Sequence, residues 1–244
     1  MSSNPKLAIV AAIEREISSL IKNWRVREQR HSGYTFRFFE NENVIAVCGG
    51  IGAEPARRAA ESVIALYNPA MIYSAGFAGA ANSTLRVADV VIPRRVIDAR
   101  DGSSVDTETG EGILVSSDSP ASPQQKTKLH ASYQADAVDM EAAAVAKAAQ
   151  ARRVRFRAVK AISDERNFEL PPFDKFVRSD GTFLTAKFAG YVIPRPWLWG
   201  KVLKLQGNST VAARALCHKL QQIISETDVE AISSLTDLNV NTRR

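Results

Sequence analysis

The chain has 244 residues, a length that suits one large α/β domain, and its 45% hydrophobic content lets it bury a full core and excludes disorder over most of its length. Its net charge of +6 is mixed along the sequence with no basic run interleaved with aromatics, so a solvated basic surface is expected and no nucleic-acid partner. Two distant cysteines, Cys48 and Cys217, and three scattered histidines, His31, His130 and His218, argue against a disulfide framework and a metal site. The expectation is a reducing cytoplasmic setting, with no metal and no cofactor.

A polar start, residues 1–6, leads into an apolar run over 7–13 that is too short for a signal peptide, and no stretch approaches the ~20 apolar residues a membrane span requires. Strand-like runs then recur at 7–12, 35–39, 44–48, 71–75, 89–92, 112–115, 135–138 and 156–162. Helical patterns fall between several of them. Residues 55–67 carry Ala56, Ala59, Ala60, Val63, Ile64 and Tyr67 on one stripe, 140–152 is alanine-rich, and 211–224 forms a third amphipathic pattern. The Ser/Pro-rich stretch 116–125 reads as a loop, and 226–244 as a polar, frayed tail beyond a domain of residues 1–225. Alternation of this kind implies a mixed, largely parallel sheet flanked by helices, with ligands bound where the strands end.

Unusual residues stand at those strand ends. Ala11-Ala12-Ile13-Glu14-Arg15-Glu16 runs from a strand straight into acids, which serve equally as first-turn partners of a helix dipole. Cys48-Gly49-Gly50-Ile51-Gly52 and Ser74-Ala75-Gly76-Phe77-Ala78-Gly79 read as small-residue turns that let backbone approach a ligand, or as plain strand-to-helix turns. Val138-Asp139-Met140-Glu141-Ala142-Ala143-Ala144 places two acids and a methionine where a strand gives way to a helix. Lys160-Ala161-Ile162-Ser163-Asp164 closes the last strand on an acid that is also a plausible N-cap.

In this order, the segments resemble the 5′-methylthioadenosine/S-adenosylhomocysteine nucleosidases and the related purine nucleoside phosphorylases, over residues 7 to 176. The resemblance implies a single α/β domain whose central mixed, barrel-like sheet is flanked by helices and assembled as a homodimer or higher homo-oligomer. It implies cleavage of the N-glycosidic bond of a purine nucleoside, such as methylthioadenosine, S-adenosylhomocysteine or another 5′-substituted adenosine. Asp164 takes the place of the general acid near purine N7, with Ser163 beside it at the base. Glu141 takes that of the acceptor of the ribose hydroxyls, Met140 packs against the sugar, and Glu16 activates the attacking water. Ile13, Ile51, Gly52, Phe77, Ala78 and Gly79 form the surrounding turns. Lys160 stands where relatives often carry an arginine and can hold a nearby carboxylate.

The chain also departs from both groups. The phosphorylases bind phosphate through a Gly-Asp-Pro-type loop with arginine and through an arginine and serine at the third turn, where this chain has Ser74 and Phe77. A phenylalanine cannot donate to phosphate, so water is the expected nucleophile and phosphorolysis the alternative. Nucleosidases usually have serine at the position of Phe77, and an aromatic base-stacking residue where this chain reads Ser116-Ser117-Asp118-Ser119-Pro120.

The apolar, aromatic segment 168–205 is expected to be a helix pair over the core or an oligomer interface, with Pro194 and Pro196 preventing one continuous helix. A lid over a long 5′ substituent is the other reading. In this the segment is similar to nucleosidase-like proteins of hopanoid synthesis, thought to act on adenosylhopane. A non-catalytic nucleoside-binding protein would not need Glu16, Glu141 and Asp164 together.

Overall fold

The structure is a computed structural model that describes the backbone of residues 7–241 and side chains through residue 226. Its centre is the strand β1 (Leu7–Ala11), buried along its whole length because its side chains alternate between two apolar layers. Ala8 and Val10 face one layer, and Leu7, Ile9 and Ala11 face the other. β1 pairs in parallel with β4 (Val44–Cys48) on one side and β5 (Met71–Ala80) on the other. Helices α2 (Ala53–Tyr67) and α4 (Ala142–Ala151) cover the first layer. Helix α1 (Glu14–Ile21) and the long α6 (Pro196–Asn241) cover the second.

Antiparallel strands extend the parallel centre. β2 (Arg25–His31) and β3 (Tyr34–Asn41) add to the β4 edge. Beyond β5 lie β10 (Ala137–Asp139), β9 (Ile113–Ser116), β7 (Arg95–Asp98) and β8 (Ser104–Asp106), while β11 (Arg155–Asp164) pairs with β5 and with the short β6 (Val90–Val91). Three strands therefore share β5: β1 along its first half, β11 along nearly all of it, and β10 at its last residues. The sheet curls about that strand, giving the expected mixed, helix-flanked α/β domain.

Several elements differ from the sequence reading, each for a local reason. β2, Arg-Val-Arg-Glu-Gln-Arg-His, lacks apolar alternation because it is a solvated edge strand, where charge prevents further pairing. The stretch 74–80, expected to be a turn, continues β5, so Phe77, Ala78 and Gly79 are strand residues. The loop expected at 116–125 ends early, because Ser122 caps α3 (Pro123–Tyr133) in a capping box with Gln125, with Pro123 in the first turn. The expected tail, 226–244, is helical backbone to Asn241, its side chains from 227 and its last three residues lying outside the described ones. Residues 1–6 also lie outside them.

The aromatic segment forms the helix pair α5 (Thr185–Val192) and the first turns of α6, broken at the prolines as expected. Further along α6, Ala212, Leu216 and Leu220 recur at four-residue spacing and are buried against α1 and the sheet. Leu216→Ala removes a fully buried side chain from this contact and is expected to lower stability by about 2–5 kcal/mol in urea denaturation. A loss below about 0.5 kcal/mol, the range of exposed positions, would mean that α6 does not dock here.

Candidate active site

The site forms where α1, β5, β11 and the β10–α4 turn converge. Glu16 lies in the first turn of α1, buried, with Oε2 accepting the backbone N–H of Ala12 at 3.0 Å and of Ile13 at 3.1 Å. Its Oε1 accepts the N–H of Phe77 at 3.0 Å, tying α1 to the middle of β5. A carboxylate has about four lone-pair sites, so three donors leave one open. Burial pushes the Glu16 carboxyl above its ordinary range, against the pull of Lys160 and these donors.

Lys160 reaches the same place from β11, where it is registered against Gly76, the residue the Glu16 carboxylate touches. It is 1% exposed, and its Nζ lies 2.9 Å from Asp139 Oδ2 at the end of β10. Burial by itself would lower its pKa, but Asp139, Glu141 and Glu16 together raise it above the ordinary lysine value. One ammonium thus faces three carboxylates. Asp139 is held further by the Ser116 hydroxyl, which donates to Oδ1 at 2.5 Å, and by the N–H of Ala142, which donates to Oδ2 at 2.9 Å.

Glu141 follows two residues later as the N-cap of α4. Its Oε1 accepts the N–H of Gly52 at 2.9 Å and its Oε2 that of Met140 at 3.3 Å, leaving lone pairs for further donors. Gly52 presents this N–H with φ of +102°, a backbone that L side chains rarely adopt. Burial raises the Glu141 carboxyl to about 7, Lys160 opposing and the charges of Asp139 and Glu16 adding. In a mixed sheet the strands need not deliver their site residues from one direction. β10 runs antiparallel to the end of β5, so Asp139 and Glu141 enter against the direction of Glu16 and Asp164.

Asp164 ends β11 at an irregularity in the ladder, where Ile162 opposes Ala78 and Asp164 opposes Gly79, leaving Ser163 as the extra residue. The Ser163 hydroxyl donates to Asp164 Oδ1 at 2.8 Å. The other carboxyl oxygen receives the buried ammonium of Lys126, from α3, which also donates to the carbonyl of Glu165 at 3.0 Å. Gly79 lets this pair approach, since a Cβ there would lie 2.7 Å from Lys126 Cε and 2.8 Å from Asp164 Oδ2.

Sequence reasoning missed Ser116, the first residue of the stretch read as loop, and Lys126, which directly follows that stretch and was assigned to no helix. The capping box Ser122-Pro123-Gln124-Gln125 was the signal for α3 and so for a buried lysine at its first turns. The N–H of Ile51, next to the Gly52 that holds Glu141, donates to Gly181 O at 2.9 Å, so the aromatic segment meets that turn at Gly181. Met140 borders a small surface concavity with Ala53, Ser117, Arg100 and Asp118.

A family model described as the phosphorylase superfamily matches residues 6–111 and 100–187. The 5′-methylthioadenosine/S-adenosylhomocysteine nucleosidase of Bacillus velezensis is 28% identical over 212 residues, spanning 70% of this chain and 91% of that protein. Its Buchnera aphidicola counterpart is 28% identical over 93 residues, so the match spans 40% of that relative's length. A Helicobacter pylori nucleosidase of the same type, solved with 5′-methylthioadenosine, superposes with a TM-score of 0.64 at 18% identity, covering 91% of this chain and 99% of the other. The futalosine hydrolase of the same organism gives 0.65 at 18%, covering 91% and 98%. At these identities the superpositions show a shared fold.

The raised carboxyl of Glu141 links the site to stability. Its folded pKa of about 7 lies above the ordinary 4.5, so the folded state holds the proton more tightly than the unfolded chain does. That contribution is fully present below pH 4.5 and is lost as pH rises through about 7. Thermal melts across this window are expected to show a smaller decline for Glu141→Gln than for the parent. Equal slopes in the two would remove Glu141 as the source.

Proposed function

We propose that this chain, which belongs to the phosphorylase superfamily, hydrolyses the N-glycosidic bond of an adenine nucleoside carrying a 5′ substituent. The observation that carries the reading is the gathering of Glu16 and Glu141 around Lys160, with Asp164 three residues further along β5 against Gly79, each acid partly satisfied by the protein and each with acceptor capacity left over. The nucleosidases named above act on methylthioadenosine and S-adenosylhomocysteine, which supports the substrate class.

The chemistry follows from those free lone pairs. Cleavage passes through a ribosyl cation with a departing purine, and needs a base for water, anchors for the sugar and a proton for the leaving group. Glu16 takes the proton of a water through its one open acceptor site, and the hydroxide oxygen bonds to the anomeric carbon. Glu141 accepts the ribose hydroxyls, with Met140 against the sugar. Asp164, with Ser163 beside it, takes up a proton when the nucleoside binds and passes it to purine N7 as the bond from N9 to the sugar breaks. Lys126 then faces the carboxylate that remains, a positive charge against the negative one just formed.

Water is favoured over phosphate by charge. The cations inside the site, Lys160 and Lys126, are both paired with carboxylates, and Phe77 offers its backbone N–H to Glu16. An incoming phosphate would meet three acids and no unpaired side-chain donor among these. The 5′ group is the open part of the reading. Phe173, Phe176, Phe183, Phe188 and Tyr191 pack ring against ring beside the turn at Gly181, so an apolar substituent would find aromatic surface near Ile51. Trp197 does not contribute, because it faces solvent.

The reading is tested by incubating the protein with adenosine, methylthioadenosine, S-adenosylhomocysteine, futalosine and a 5′-alkyl adenosine, with and without phosphate. Free base and free sugar are expected, at a rate that phosphate does not raise. A sugar 1-phosphate as main product would make the chain a phosphorylase, and no release of base from any member would refute the reading.

Asp164→Asn is expected to fold and to lose roughly 10²–10⁴-fold in turnover, the range of a positioned general acid. Lys126→Met is expected to lose less in kcat with KM little changed, and Lys126→Arg to recover part of it. Near-normal turnover of the Asp164 variant would remove that residue from the chemistry.

A further inference from the structure

We propose that the corner between α5 and α6 is a docking surface for an anionic lipid bilayer, on which the protein rests without spanning it. The corner exposes several large apolar side chains. Ile193 is 67% exposed, Trp197 70% and Leu203 67%, while Trp199 and Val211 are each 49% exposed. Trp199, Leu203, Gly207 and Val211 recur at four-residue spacing, so they share one face of α6, opposite the stripe that docks on the sheet. Isolated exposed hydrophobics are ordinary on protein surfaces; two tryptophans, an isoleucine and a leucine on one corner are not.

Charge selects the partner. From residue 181 to 225 the sequence contains no acid, while Lys187, Arg195, Lys201, Lys204, Arg214 and Lys219 all fall within it. Lys187, Lys204 and Arg214 are exposed. Lys201 is paired with Glu169 of a neighbouring loop, and Arg195 lies over the Tyr191 ring. A helix face of tryptophan and leucine bordered by lysine and arginine is the composition that lies in a bilayer interface, with the rings among the headgroups and the cations on anionic lipid.

A second copy of the chain fits less well. A two-fold contact over this corner would bring the same cations against each other, and no acid of the segment could answer them. Among the described residues no helix is long and apolar enough to cross a membrane, so the contact is a resting one. The face lies on the opposite side of α6 from its core stripe, leaving the reaction site free. The inference does not depend on the reaction proposed above.

The test uses the full chain with Trp24→Phe, so that emission reports Trp197 and Trp199, and vesicles of phosphatidylcholine with or without phosphatidylglycerol. The protein is expected to pellet with the phosphatidylglycerol vesicles, to shift its emission to the blue, and to release as salt is raised. Trp197→Ala with Leu203→Ala, both exposed, should keep the far-ultraviolet circular dichroism and weaken the partition by roughly tenfold or more. Lys187→Glu with Lys204→Glu should abolish the preference for the anionic lipid. Absence of pelleting and of any emission shift with phosphatidylglycerol vesicles at low salt would overturn the proposal. So would lipid-free emission already shifted to the blue and dependent on protein concentration, the mark of a second copy covering the corner.

Discussion

A single buried ammonium holds the site together. Lys160 is almost fully enclosed, which for an unpaired charge would be prohibitive, and it is tolerated because Asp139, Glu141 and Glu16 surround it. The dependence runs both ways. Three carboxylates this close would repel each other, and the raised carboxyls of Glu16 and Glu141 show that burial is only partly offset by the lysine. The resulting site keeps two carboxyl groups with raised pKa values next to a fixed positive charge.

The sheet makes this arrangement possible by sharing one strand. β5 carries no large side chain where the site forms except Phe77, and Gly76 and Gly79 let Glu16 and the Lys126–Asp164 pair press against its backbone. The irregularity at Ser163 re-aims the end of β11 at that same strand. β10 then returns antiparallel, so that acids widely separated in sequence meet from opposite directions. Two lysine–carboxylate pairs, one on each side of β5, are the electrostatic counterpart of that geometry.

The aromatic segment has two faces with different work. Its first part turns at Gly181 onto the backbone of Ile51, next to the glycine that holds Glu141, and stacks its phenylalanines among themselves. Its second part, the opening of α6, presents tryptophan and leucine to solvent among cations, while later turns of the same helix bury Leu216 and Leu220 in the core. One helix thus joins the interior of the domain to an outward apolar surface.

Much of this was legible in the chain alone. Fully buried strands announce themselves as short apolar runs, so β1, β4 and the start of β5 were read nearly to their ends. The order of acids at strand ends, with Val138-Asp139-Met140-Glu141 and Ile162-Ser163-Asp164, was enough to identify the family. What sequence could not express were contacts whose cause lies elsewhere in the fold. β2 is a strand because an edge accepts it, whatever its composition, and 74–80 stays in the sheet because β11 pairs with it. Lys126 is buried only because α3 carries it to Asp164, thirty-eight residues away, a distance over which local periodicity holds no information. Which acids would share a charge, and how far burial would raise them, was decided by tertiary packing, since desolvation and Coulomb interaction depend on separation in space and not on position in the chain.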